Sequence, residues 1–209
     1  NGDFSQGMAG FTSDYNVVPA VQDALASEGL ASIMNNTNMG ISGWADCPGS
    51  SMMVFNAAAS ASDMVCFQVN VNPTSSYEFS METVNAHLTS PPIFQFNFNG
   101  ISIGTFTAGA PPCNWQTYTG FWDANGESSV EICITNLNTE WFGNDYAIDN
   151  LRLFEICNVS DEVEVIVESV NASISTPPMI TCENSEVILN GVGSTFGPGF
   201  EVFWTTLDG

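Results

Sequence analysis

The chain has 209 residues, 44% apolar and only 11% charged, and its 23 acidic residues face a single basic one, Arg152. A formal charge of −22 repels phosphate backbones and anionic lipid headgroups, which argues against nucleic-acid binding and charge-driven membrane binding. No run of about 18 apolar residues is present, so membrane insertion as a helix is not expected, and the lack of lysine rules out Schiff-base chemistry and a Walker-type phosphate loop. Aromatic residues make up 11%, which argues against disorder. The composition reads as a secreted protein, soluble through amides, hydroxyls and carboxylates; no basic, then apolar, then small-residue start is present, so any signal peptide is expected to be already gone. Excess carboxylate suits high salt or divalent cations, because both screen self-repulsion.

Along the chain, Ala20 to Leu30 is a helix candidate, closely bounded by Pro19 and Gly29. From there the signal is period two, the mark of half-buried strands. Val65, Phe67, Val69 and Val71 share one face and Cys66, Gln68 and Asn70 the other. Tyr77, Phe79 and Met81 alternate with Glu78, Ser80 and Glu82. Phe94, Phe96 and Phe98 lead into Asn99-Gly100, a strong hairpin signal, and on to Ile101 and Ile103. Val130, Ile132 and Ile134 form a further run, and Pro- and Asn-rich turns separate the segments. Many short strands at regular spacing predict an antiparallel sandwich. Near Asp149 the phase slips, from Tyr146/Ile148 to Leu151/Leu153, which predicts a bulge or an inward-turned Asp149.

The pattern changes after Cys157. An acidic alternating segment, Asp161 to Glu168, precedes Pro177-Pro178, Cys182 and Phe200 to Trp204. We read residues 1–157 as one domain and 158–209 as the first part of a second, with the natural polypeptide expected to continue. Six cysteines without CxxC spacing, and one histidine, His87, argue for disulfides in an oxidising compartment rather than zinc. About 15 connectivities remain open. Cys66 and Cys133 share outward parity, which suits a surface bridge. Cys157 has a partner either upstream or in Cys182.

Several strings in order resemble a known type of module: Asn1-Gly2-Asp3-Phe4, Met52 to Asn56, Val65 to Val71, Tyr77 to Ser80, Cys113-Asn114-Trp115, Ile132-Cys133-Ile134 and Gly143 to Leu151. Together they resemble the secreted jelly-roll domains of Bacteroidota, of the galactose-binding and carbohydrate-binding-module type, over about three quarters of the chain. The segment after residue 158 resembles the opening of a PKD-like or Ig-like module, with Cys182 near its second strand and Trp204 at the core position of its third. The resemblance implies an all-β architecture, an antiparallel jelly-roll sandwich followed by a partial Ig-like β-sandwich module. It further implies a large modular cell-surface adhesin exported by the type IX pathway. Related modules often hold a structural Ca2+ between the first and closing strands, which here points to Asp3, Ser5 and Asp149. Many relatives carry Glu where this chain has Ser5 and Asp where it has Asn150, and both changes remove negative charge. The other reading of Asp3 and Asp149 is strand-end acids bonded to backbone.

Sugar binding needs exposed aromatic faces with nearby amides and carboxylates. Trp115 and Trp204 fall on core positions, and Trp122 is ambiguous. Trp44 and Trp141 lie in turn-rich stretches, and Trp141-Phe142 is the most exposed-looking aromatic pair, so Trp44, Trp141 and Phe142 are the ligand-binding candidates. No G-x-S-x-G elbow is present, His87 reads as a loop histidine, and no pair among 23 acids is singled out for catalysis. The expectation is therefore a non-enzymatic, secreted or cell-surface module that binds glycans or surface proteins. Two alternatives are a structural subunit of an extracellular fibre, with homo-oligomer or fibre neighbours, and an accessory binding domain of a secreted hydrolase.

Overall fold

Alternation of apolar and polar residues gives each strand one face to bury, and two sheets bury those faces against each other. A computed structural model describes residues 1–87 and 89–156. The chain divides into two units, Asn1–Asn158 and Val159–Gly209, and the description concerns the first. The expected Ig-like module, with Cys157, Cys182 and Trp204, lies outside the described residues.

Ten strands run β1 (Asn16–Val17), β2 (Leu30–Asn36), β3 (Pro48–Asn56), β4 (Ser62–Asn70), β5 (Ser76–Asn85), β6 (Ile93–Phe98), β7 (Ile101–Thr107), β8 (Gln116–Asp123), β9 (Ser129–Asn136) and β10 (Asp145–Ile156). They form a six-stranded sheet, β1-β2-β3-β10-β5-β8, and a four-stranded sheet, β4-β9-β6-β7. Every pairing is antiparallel except the short β1–β2 contact. Strands distant in sequence lie side by side, β3 with β10 and β4 with β9, and this interleaving is the jelly-roll topology that was expected.

The core between the sheets is aromatic. Phe55, Phe79, Phe94, Phe96, Phe98 and Tyr146 are fully buried, each contributing roughly 1.5–3 kcal/mol by leaving water. The Phe96 and Tyr118 rings stack with centroids 3.7 Å apart. The turn from β6 to β7 uses Asn99 and Gly100, both at positive φ (48° and 76°), as a two-residue hairpin of this kind requires.

The segment 20–30 is not a helix. It forms turns, because its polar groups are taken elsewhere: Asp23 N and Leu25 N donate to the Met39 and Gly40 carbonyls, and Asp23 Oδ1 accepts from Ser42 N. Leu25 is thereby driven into a second apolar cluster with Met34, Trp44, Met52, Val54 and Ala147. Loops 18–29 and 37–47 thus cap one half of the outer face of the six-stranded sheet. Among the described residues the only helical element is one 3-10 turn, Thr37–Met39.

The phase slip is a β-bulge. Asp149 pairs with Glu82, but the next pair is Arg152 with Ser80, so β10 carries one extra residue. Asn150 takes it up at φ 52°. Leu151 therefore turns inward, and Arg152 and Phe154 turn outward.

Among the described residues two disulfides form, Cys66–Cys133 and Cys47–Cys113. The first joins directly opposed residues of β4 and β9, a pairing that register decides and parity alone left open. The second ties the capping loop to the segment before β8.

Candidate functional site

Trp44, one of the three aromatic candidates, is 8% exposed and packs in the second cluster. Its ring offers no open face, so it is not carried forward as a ligand contact. Trp141 and Phe142 are 69% and 57% exposed, on the loop between β9 and β10. The base of that loop is pinned by amides. Asn138 Nδ2 donates to the Pro91 carbonyl at 2.8 Å, Asn144 Nδ2 to the Asn138 carbonyl at 2.8 Å, and Asn136 Nδ2 to Asn144 Oδ1 at 3.1 Å. Gly143, at φ 80°, lies so close to Thr89 that a Cβ would meet its Oγ1 at 2.0 Å. The His87 ring meets the Phe142 ring edge-on at 5.1 Å.

Beneath this loop lies a buried polar cluster. Burial pushes the Asp145 carboxyl up to about 6, against a contribution from the Ala57 N–H that holds it down. Tyr15 and Tyr146 hydroxyls stand 3.5 Å apart beside it, and burial raises both phenols.

The acidic candidates fall on the bulge. Asp149 is 5% exposed, and among the described residues its carboxylate accepts one hydrogen bond, from Asn150 N at 2.7 Å. Burial raises it, with Glu82 and Asp3 adding repulsion and Arg152 opposing. Leu151 N donates to the Gly2 carbonyl at 2.9 Å, which brings the opening segment to the bulge. Asp3 itself is exposed, and Ser5 Oγ and N donate to its Oδ1 at 2.8 and 3.2 Å. These hydrogen bonds hold Asp3 below the usual carboxylate range. Asp149 is thus a buried carboxylate with one hydrogen-bond donor among the described residues, registered beside Glu82. Asp3, Glu82 and Asp149 do not bring even one oxygen each within 4.8 Å of one another. Among the described residues the one triad that does is Asp63, Cys66 and Cys133, and its two sulfurs are joined as a disulfide, so it is no thiolate site.

A further arrangement was not a candidate from sequence. The half of the six-stranded sheet not covered by the capping loops carries an open outer face. Register places Phe121 of β8 and Phe154 of β10 on either side of Glu78 of β5, in one row. The next rows are Thr119–Ser80–Arg152 and Thr117–Glu82–Asp149. Phe121 and Phe154 are 64% and 53% exposed. Two strand spacings separate them, about 9.5 Å. Trp115, before β8, packs half-buried against the second cluster. Sequence reasoning missed Phe121 because Gly120 interrupts the inward apolar series Tyr118, Trp122, and missed Phe154 because it lies beyond the bulge. The parity opposite Leu151 and Leu153 was the available signal.

No family model matches the chain, and no curated protein matches it. Solved structures are distantly similar. The EclA C-terminal domain, a sugar-binding protein, is 16% identical over 49% of this chain and 76% of that one, with a TM-score of 0.42. The Stig cyclase Fisc from Fischerella sp. TAU is 13% identical over 70% of this chain and 85% of that one, with a TM-score of 0.49. The CBM22-1-GH10 modules of Clostridium thermocellum xylanase 10B, complexed with xylohexaose, are 15% identical over 56% of this chain and 24% of that one, with a TM-score of 0.42.

Proposed function

We propose that residues 1–157 form a non-enzymatic glycan-binding module of an extracellular surface protein, and that the sugar lies on the open half of the six-stranded sheet. The observation that carries this reading is the row Phe121–Glu78–Phe154, two exposed rings flanking a carboxylate. Ring faces pack against the apolar C–H faces of pyranoses, while carboxylate, hydroxyl and guanidinium groups fix the sugar hydroxyls. The face is open to water. That suits holding a chain rather than reacting with it, since electrostatic stabilisation of a transition state works best where water is excluded. The two disulfides suit an oxidising compartment, and the adhesin-type role rests on the resemblance of the sequence to modular surface proteins. A divalent cation, Ca2+, held by Asp3, Ser5 and Asp149, would stiffen the junction between the opening segment and β10.

The exposed pair Trp141–Phe142 supports a second location, at the end of the sandwich. Asp145 at the base of that loop is nine residues along β10 from Phe154, roughly 30 Å of strand, so the two are separate surfaces. A glycan array with the wild-type protein, followed by titration calorimetry of F121A, F154A and W141A on the best hit, separates them. Loss of about tenfold in affinity for each Phe variant, or ~1.4 kcal/mol, with W141A unchanged, is the expected result. Wild-type affinity in both Phe variants sinks the sheet-face reading. Sedimentation of F121A beside wild type tests the competing use of the same face, contact with a second copy.

A further inference from the structure

Building on the sheet-face reading, we infer that the ligand is an uncharged glycan chain laid across the strands, and that the face discriminates against uronate- and sulfate-bearing glycans. Arg152 is the only lysine or arginine in the chain, and it stands in the row beside Phe121–Glu78–Phe154. At first sight this is an anion anchor. Its surroundings say otherwise. Glu78 and Glu82 of β5 lie on the rows either side of Arg152, and Asp149 is registered directly against Glu82 just before the bulge. Arg152 is already engaged here: its guanidinium donates to Asn150 Oδ1 at 3.4 Å. Glu78 and Glu82 alone outnumber the one guanidinium and leave the face negative, within a chain carrying −22.

An anionic polymer brought within a Debye length, about 8 Å at physiological salt, meets like charge. The groups left to bind a ligand are carboxylate acceptors (Glu78, Glu82) and hydroxyls (Thr117, Thr119, Ser80). Acceptors of that kind demand a partner rich in donors, and the hydroxyls of a neutral sugar supply them. The rings fix the direction. Phe121 and Phe154 lie on different strands at one level, so a chain touching both runs perpendicular to the strands. Their spacing of about 9.5 Å asks for more than one sugar ring.

Affinity electrophoresis of the full chain through gels containing xyloglucan, galactomannan or mixed-linkage β-glucan, against gels containing polygalacturonate or heparin, tests this at low and physiological salt. Retardation by one or more neutral polymers, with acidic polymers weaker by more than about tenfold, is expected. F121A and F154A should abolish it, and E78Q should raise acidic binding. Acidic polymers retarding the protein as strongly as neutral ones, in a manner lost in F121A, would overturn the neutral-ligand inference and leave the sheet-face reading standing. Retardation by no polymer, or retardation unchanged in both Phe variants, overturns both. All three substitutions are on an exposed or half-exposed face, and unchanged near-ultraviolet circular dichroism verifies that they fold.

Discussion

Asp149 of β10 is registered directly against Glu82 of β5, two carboxylates side by side on one face of the sheet. Like charges directly opposite destabilise a strand pair. Asn150 Nδ2 moderates the clash by donating to Glu82 Oε2 at 2.9 Å, but Asp149 stays buried with a single hydrogen bond among the described residues. The bulge that creates this arrangement also sends Arg152 and Phe154 to the open face. One extra residue thus sets both the acidic cluster and the aromatic row.

Millimolar calcium should therefore stabilise the protein, because a ligand that binds only the folded state adds RT ln(1 + [L]/Kd), about 2.7 kcal/mol at a hundredfold excess over Kd. In a domain of this size that is a rise in Tm of roughly 5–10 °C. D149N should raise Tm in chelator, by removing the repulsion, and lose the calcium response. Superimposable melting curves in chelator and calcium would eliminate the cation.

Acidification should stabilise the fold through Asp145. Its carboxyl is raised to about 6 by burial, so between the unfolded value near 3.8 and about 6 the folded state holds the extra proton. Stability from this group is therefore present below pH 3.8 and declines as pH rises through about 6. The whole effect is on the order of 3 kcal/mol at most. D145N should be more stable than wild type at pH 7.5 and should flatten the profile between pH 5 and 7. Urea titrations across this range check it, and a D145N profile parallel to wild type counts against a neutral Asp145.

Trp44 and Trp141 should part company on substitution. W44A opens a cavity in the second cluster and should cost about 3–5 kcal/mol. W141A, on an exposed loop tip, should stay within about 0.5 kcal/mol. Chemical denaturation of both variants decides it, and a mild W44A would mean that the capping loops contribute little to the fold.

The two disulfides close loops of 66 and 67 residues, each worth roughly 4 kcal/mol in the chain-entropy model. Losing Cys47–Cys113 should nevertheless cost more. Cys47 is fully buried and anchors the capping loop, whereas Cys66 and Cys133 sit on strands already paired along eight positions. Equal urea midpoints for the C47A/C113A and C66A/C133A variants would refute that ordering.

Period-two alternation made most of the strands legible. Runs such as Phe94, Phe96 and Phe98 have only one side to bury, and the Asn99-Gly100 turn has only one economical geometry. The slip at Asp149 was legible too, because a bulge is the local answer to a broken period. The strand β8 was not, since Gly120 carries no side chain to mark its inward face. Nor was the state of segment 20–30, where Leu25 buries itself from a turn only because Met39 and Gly40 offer carbonyls from a distant loop. Exposure of Trp141 and Phe142 followed from their loop, but burial of Trp44 depends on packing distant loops on the sheet, and the placing of Phe121 and Phe154 in one row depends on pairing three strands far apart in sequence. Local pattern fixes which face a side chain takes along its own strand. Which side chains share that face is decided by register between strands, and register is a property of the packed sheet.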